Sequence, residues 1–404
     1  MNHSFLARAS HLLAVQIGLS IFSQAAPPDL TNGGSPTSSI NINLGPTGMQ
    51  GWLYHDKTDT SESREILVTA VDPSSPADGV LAVDDVILGA DGTGANPVDF
   101  TSDARRSLAQ AIQDAEANSP ATLKLLRWRG GVTTSESITL QTLGAYTATA
   151  PYSCPKSTLI LENGLAHRTA NEGAGRFSFG TLALLAGNDP SNPANAARQA
   201  LAQTEAHALI ETQEKIDFWK SGQIDTGSKI TWNIGHKLTV LAEYYLLTSD
   251  PLVLPTIEAM AVQVANGQSH LGTMGHQLTN LNAQGAPNDA YDVGYGTVNS
   301  AGMPTFLGLL LAKECGLTNP EIDPAIARAS RYYASYTGYG SHPYGEHGPY
   351  TQSHENNGKS GLASLCFMLL GDRAEEGKFF SMMATAAASE REKGHTGPYF
   401  NQLW

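Results

Sequence analysis

Basic side chains are scarce in this chain of 404 residues: 24 Lys and Arg stand against 38 Asp and Glu, for a formal charge of −14. No basic stripe offsets phosphate charge, which excludes nucleic acid and anionic lipid as main partners. Cysteine is scarcer still. Cys154, Cys315 and Cys366 are too few and too widely spaced for a disulfide-built scaffold, and at most one bridge can form. Cys315 and Cys366 fall inside the apolar helical runs LLLAKECG and LASLCFMLL, where a thiol packs as a small hydrophobe. Familiar catalytic signatures are missing as well. There is no Gly-x-Ser-x-Gly elbow, no Gly-Asn-Ser-Gly-Gly and no HExxH. HENNGKSG has a superficial look of a phosphate loop, but Ser353 stands where the first glycine is required and no strand precedes it.

Long apolar runs are absent too. The longest early one, LLAVQIGLSIF (Leu12 to Phe22), is too short for a permanent membrane span. It follows Arg8 and ends at SQAA, with Ser23 and Ala25 as small residues at a cleavage site. This is the layout of a secretory signal over 1–25, so the expected location is periplasmic or extracellular, without a membrane span after cleavage.

What is present is ordinary globular composition, 41% hydrophobic and 15% charged, and length for two or three domains. After a linker over 26–38, the segment ILVTAVDPSSPADGVLAVDDVILGADG (Ile66 to Gly92) reads as strand, short turn, strand. Phe100, Ala104, Leu108 and Ile112 recur at steps of four and predict one helical stripe. Thr122 to Trp128 and Ser137 to Leu143 read as two further strands.

The SPADG turn, the DDVILGADG strand-turn and the loop Gly48-Met49-Gln50-Gly51-Trp52-Leu53 ahead of a strand resemble the PDZ family, most closely its versions in exported bacterial proteins. The resemblance covers 39–146. It implies that a partner's chain end adds as a strand beside the loop's strand, with its carboxylate on loop N–H groups and its last side chain in an apolar pocket. Gly48, Met49, Gln50, Gly51, Trp52 and Leu53 would form that loop and strand, and Leu108 and Ile112 would line the pocket. An extra residue between the loop glycines, and Pro46 before them, depart from the commoner pattern. The alternative is a groove filled by a neighbouring segment of the same chain.

Beyond a linker over 147–170, the rest is predicted to be all helical over 171–404. Four times an apolar helical run ends in a turn that opens another helix: Thr181 to Pro190, Tyr244 to Pro251, Leu309 to Pro324 and Cys366 to Gly377. Gly187, Gly316 and Gly371 are expected as left-handed helix ends, Asp250, Asp323 and Asp372 as caps, and Pro251 and Pro324 as first-turn residues. Long loops rich in Gly, His and aromatics separate the hairpins. This alternation describes an α/α toroid that four hairpins leave short of closure, so the expected fold is multidomain α+β. TAPYSCPKS, WNIGHK, DAYDVGYG, HENNGKSG and GHTGPYF are similar to an uncharacterised family of exported bacterial proteins that joins a PDZ domain to such a helical region.

Polar groups at the starts of first helices are the candidates for a cavity: Arg176, His236, Lys237, Asp289, Tyr291, Asp292, His342, Glu346, His347, His354, Glu355, Lys359 and His395. Of these, His236, Tyr291, Asp292, His354, Glu355 and His395 are the catalytic candidates, and at least three of His236, Tyr291, Asp292, His354 and His395 are expected to converge on one concave face. The tyrosines from Tyr332 to Tyr350 offer flat faces to sugar rings, and His and Glu can serve as acid and base. The alternative is that the tyrosines pack the loop onto the helices. Zinc at His342, Glu346, His347 and His354 matches no ligand spacing, so neither metal nor cofactor is expected. Three readings stay open: an exported peptide-binding or scaffold protein, a polysaccharide lyase or glycoside hydrolase with an accessory domain, and an assembly protein.

Overall fold

The computed structural model describes residues 28–30, 42–54, 60–171, 173, 178–187, 189–279, 296–339, 342–345 and 359–386. The chain divides into two compact units, Met1–Tyr54 with Ser61–Thr142, and His55–Thr60 with Leu143–Trp404.

The first unit is an antiparallel sheet whose strands neighbour one another in chain order: β1 (Ile42–Asn43), β2 (Met49–Trp52), β3 (Ile66–Val71), β4 (Val86–Asp91), β5 (Thr122–Arg129) and β6 (Val132–Thr139). One helix, α1 (Ala104–Glu116), packs on β4 and β5. Asp103 starts it by accepting the Arg105 N–H at 2.9 Å, which satisfies an orphan donor of the first turn. The predicted stripe holds: Phe100, Ala104, Leu108 and Ile112 all enter one core with Ile66, Val68, Ile87, Leu123 and Leu125. Alternate residues of β2 and of the first half of β5 are buried, as a pleated strand with one covered face requires. The last strand begins five residues before the sequence suggests. Gly130 and Gly131, at φ 56° and 89°, turn the chain so that Arg129 meets Val132. Residues 132–137 are polar apart from Val132 and mostly exposed, so hydrogen bonding to β5 holds them there while apolar alternation does not.

In the second unit the four predicted turns each join two helices: α3 (Phe179–Ala186) to α4 (Asn195–His207), α6 (Ile230–Thr248) to α7 (Leu254–Asn266), α8 (Asn299–Glu314) to α9 (Ile322–Ala334), and α10 (Lys359–Leu370) to α11 (Ala374–Ala386). First helices touch first helices in the order α3, α6, α8, α10, and α7 touches α9. Two rows result, sharing one core that runs from Trp219 through Leu238, Met260, Phe306 and Tyr333 to Phe367. Glycine permits the tightest crossing. A Cβ on Gly235 would stand 2.9 Å from the Thr305 nitrogen, and one on Gly308 2.8 Å from Leu238.

The turn chemistry is partly as expected. Gly316 and Gly371 are left-handed at φ 85° and 73°, whereas Gly187 sits at −82° and ends α3 without reversing its backbone. Asp250 caps the Pro251–Val253 turn through the Leu252 N–H at 3.0 Å. Asp323 lies inside the first turn of α9 and pairs with Lys313 at 2.7 Å, so it is not the cap. Two helices escaped the periodicity argument: α2 (Pro155–Asn171), within the stretch expected as a linker, and α5 (Gln213–Lys220), which packs on α7. In α2, Leu159, Ile160 and Leu161 are consecutive and exposed, so no apolar stripe marks it. Among the described residues, no helix is long and apolar enough to cross a membrane.

Candidate functional site

In the sheet unit, the loop before β2 is a single tight turn, Gly45–Thr47, closed by Gly48 at φ 74°. Only glycine fits there, because a Cβ on Gly48 would run into the Ser75 side chain. The loop's amides are committed internally: Gly45 N–H to Asn43 Oδ1 at 2.8 Å, Gly48 N–H to Gly45 O at 3.3 Å, and Met49 N–H to Thr47 Oγ1 at 3.1 Å. Those donors are therefore not free for a carboxylate in this conformation. On one side β2 pairs with β3, and on the other β1 sets Ile42 opposite Gly51 and Asn43 opposite Gln50. Gly51 lets this pairing close, since a Cβ would approach Leu44 Cδ1 to 2.9 Å. Leu53, Leu108 and Ile112 are buried together with Met49 in the sheet core, so Leu108 and Ile112 serve as core residues here. Trp52 and Gln50 stay half-exposed.

In the helical unit, the first turns of the first helices are polar yet covered. His236 on α6 is 1% exposed, its Nδ1 2.7 Å from the Trp232 carbonyl oxygen and its ring edge-on to Phe179. Trp232 donates its indole N–H to Nδ1 of His276 at 2.8 Å, and the two rings stack. Lys237 turns away to Glu211, at 3.0 Å. Burial alone would raise the Glu211 carboxyl, but Lys237 and Lys215 together hold it below its ordinary range. On α8, Asn299 donates to the Pro343 and Gly345 carbonyls at 2.9 and 3.1 Å and so fixes the 342–345 turn. That turn carries His342, which is fully buried among the rings of Tyr333, Tyr336 and Phe380. Burial, then the neighbouring Lys359 charge, pushes its imidazole down to about 3. A ring so held is neutral at physiological pH and cannot act as an imidazolium acid.

The described tyrosines of the Tyr332–Tyr350 cluster mostly pack. Tyr333 stacks on Phe306 and meets Thr273 Oγ1 at 3.1 Å, Tyr332 and Tyr336 share a 3.2 Å hydroxyl contact, and Tyr344 is buried. Tyr339 is exposed. Burial raises the Tyr332 and Tyr333 hydroxyls far above the usual phenol range. Arg176, Asp289, Tyr291, Asp292, Glu346, His347, His354, Glu355 and His395 lie outside the described residues. His236, His342 and Lys359 are the sequence candidates that the structure places as buried groups at the starts of α6 and α10 and in the turn ahead of α10. Asn299 and His276 went unnoticed in the sequence, since nothing local distinguishes an Asn that opens a helix or a His in a loop. Among the described residues no three His, Cys, Asp or Glu side chains are grouped to hold a metal ion.

Fold and site together define a two-part α+β protein: a small antiparallel sheet unit followed by paired helices whose first turns carry covered polar groups. Residues 157–404 match the model of a domain of unknown function, DUF6288, and the chain belongs to that family. No curated protein and no solved structure matches the chain.

Proposed function

We propose that this is an exported binding protein whose sheet unit takes a PDZ-like fold and captures an extended peptide segment, while the helical unit, an α/α-toroid-like array, presents a recognition surface. The observation that carries this reading is the pairing of β1 with β2. Among the described residues β1 faces β2 opposite Gln50 and Gly51, at the outer end of the strand order, where a partner strand could take its place. With the loop amides committed internally, strand addition is favoured over capture of a terminal carboxylate. The signal-like leader and the sequence resemblance support the same reading. An array of extended peptides probed with the whole protein tests it. Binding of a subset is expected, weakened about tenfold by Trp52→Ala, in line with loss of one aromatic contact at a small interface. Uniform absence of binding would overturn the proposal.

A second reading is favoured by a different observation, the burial of Asn299 and Lys359 at the first residues of α8 and α10, which touch, and of His236 in the second turn of α6, which also touches α8. Polar groups gathered in this way suit a carbohydrate-active enzyme of the lyase or hydrolase type. Release of sugars from a polysaccharide panel, abolished by His236→Ala, Asp292→Ala or His354→Ala, would establish it. Inactivity across the panel would dismiss it.

A further inference from the structure

A groove of about 490 Å³ runs between α4 and the turn that joins α6 to α7. One wall is a single face of α4, on which Ala196, Gln199, Ala200 and Gln203 recur at steps of three and four. The other is the end of α6 and the turn after it, with Tyr244, Thr248 and Leu252. Ala196, Ala200, Gln203, Thr248 and Leu252 are exposed, so the groove is open on one side and is not a closed chamber.

The polar groups on the α6 side are already engaged. Tyr244 gives its hydroxyl to Asp250 Oδ2 at 2.9 Å, His207 Nε2 lies 2.6 Å from the same oxygen, and Oδ1 accepts the Leu252 N–H at 3.0 Å. Thr248 donates its hydroxyl to the Tyr244 carbonyl at 2.7 Å. The groove's one carboxylate is thus engaged at both oxygens, and among the described residues no Lys or Arg lines it, so nothing in the lining selects a charged ligand. What remains is carboxamide. Nε2 of Gln199 is buried and donates no hydrogen bond, an unpaired donor that an incoming carbonyl would satisfy. Gln203 lies beside the Tyr244 hydroxyl.

A carboxamide both donates and accepts, as a peptide group does. The two glutamines stand four residues apart on α4, about 6 Å along its axis, and alternate residues of an extended chain repeat at about 6.6 Å. Ala196 and Ala200, on the same face, leave room for a main chain to approach, and Leu252, 61% exposed, offers apolar contact to a side chain. We infer that this groove receives an extended polypeptide segment of a partner protein, whose peptide groups pair with the carboxamides of Gln199 and Gln203. The inference rests on the reading of the helical unit as a recognition surface, and it gives that surface a place and a ligand chemistry.

The test titrates the full chain with an acetylated, amidated hexapeptide of alternating threonine and valine. Run in parallel are the same peptide N-methylated at every residue, and cellohexaose, a chain of hydroxyls without peptide groups. The readout is the side-chain amide resonances of Gln199 and Gln203, assigned with Gln199→Ala and Gln203→Ala. The Trp52 indole resonance reports strand capture at β2 in the same titration, so failure of either site is visible without the other. The expected result is a saturable shift of both carboxamides with the hexapeptide in the millimolar range, and none with cellohexaose. The N-methylated peptide should bind about tenfold more weakly, as loss of two neutral hydrogen bonds requires. Gln203→Ala, at an exposed position, should weaken the response at Gln199 about fivefold. Gln199→Ala is the converse variant, read at Gln203, and the remaining amide resonances show whether each variant is folded. No shift at either carboxamide, a shift with cellohexaose, equal binding of the N-methylated peptide, or an undiminished response in the folded variants would overturn the inference.

Discussion

His207 Nε2 lies 2.6 Å from Asp250 Oδ2, and this contact ties the C-terminal end of α4 to the turn between α6 and α7. The same oxygen accepts the Tyr244 hydroxyl at 2.9 Å, while Oδ1 caps the turn through Leu252 N–H. The His207 hydrogen bond, followed by that cap, holds the Asp250 carboxyl below its usual range. A carboxyl lowered in the folded state adds stability above the unfolded value, about 3.9, and that stability is lost as pH falls through the folded value. Asp250→Asn should therefore lower the urea midpoint at pH 6, and the gap to wild type should shrink between pH 4 and pH 2. Asp250→Ala, which also removes the cap, should cost at least about 1 kcal/mol.

His342 leads to the opposite expectation for a buried polar residue. Its Nε2 has no hydrogen-bond partner, and its Nδ1 is 3.5 Å from Ser360 Oγ. Replacing a buried ring with one unsatisfied nitrogen by an apolar side chain removes a desolvation cost of about 1–3 kcal/mol. His342→Leu should therefore raise the melting temperature. Because the folded imidazole resists protonation down to about 3, the unfolded chain takes up that proton first, near 6.5. Wild type should thus lose stability as pH falls below about 6.5, and His342→Leu should flatten this slope by one proton in a pH series of denaturant melts.

Gly48 and Ser75 should behave as a coupled pair. Gly48→Ala adds strain at φ 74° and a collision with the Ser75 side chain, and it should cost more than about 1 kcal/mol. Ser75→Gly should restore the steric part and leave the strain. A double-mutant cycle on urea midpoints measures the split, and strict additivity would contradict the packing described.

The three thiols should titrate apart. Hydrogen bonding from Ser157, then from the Thr147 backbone, draws Cys154 down to about 6, although the residue is covered. Burial pushes Cys315 up to about 12 and Cys366 higher still. Ultraviolet thiolate absorbance of the folded protein should show one transition near pH 6, and Cys154→Ser should abolish it.

Much of this architecture is written locally. The Pro-Gly turns and apolar runs between Thr181 and Gly377 are enough to place four helical hairpins, because a capped helix end is decided by a few adjacent residues. The α1 stripe and the order of strands around Ile66 to Gly92 are legible for the same reason. Helix α2 was not, since its apolar residues form a block and no stripe, and the first half of β6 was not, since its neighbour β5 holds it.

What the chain alone determined is therefore the two-part plan, a small β-rich unit followed by repeated pairs of helices, together with its acidic balance, a formal charge of −14. Only the tertiary structure decided the use of individual side chains. It spent the amides of the Gly48 loop within the turn, set β1 on the edge of β2, sealed His342 among aromatic rings, and drew Gln199, Gln203 and Leu252 around one groove. Each of these joins groups that are distant in sequence or depends on which face is covered, and the free energy of a polar group depends on its partners and its exposure to water. Neither property resides in the residue itself.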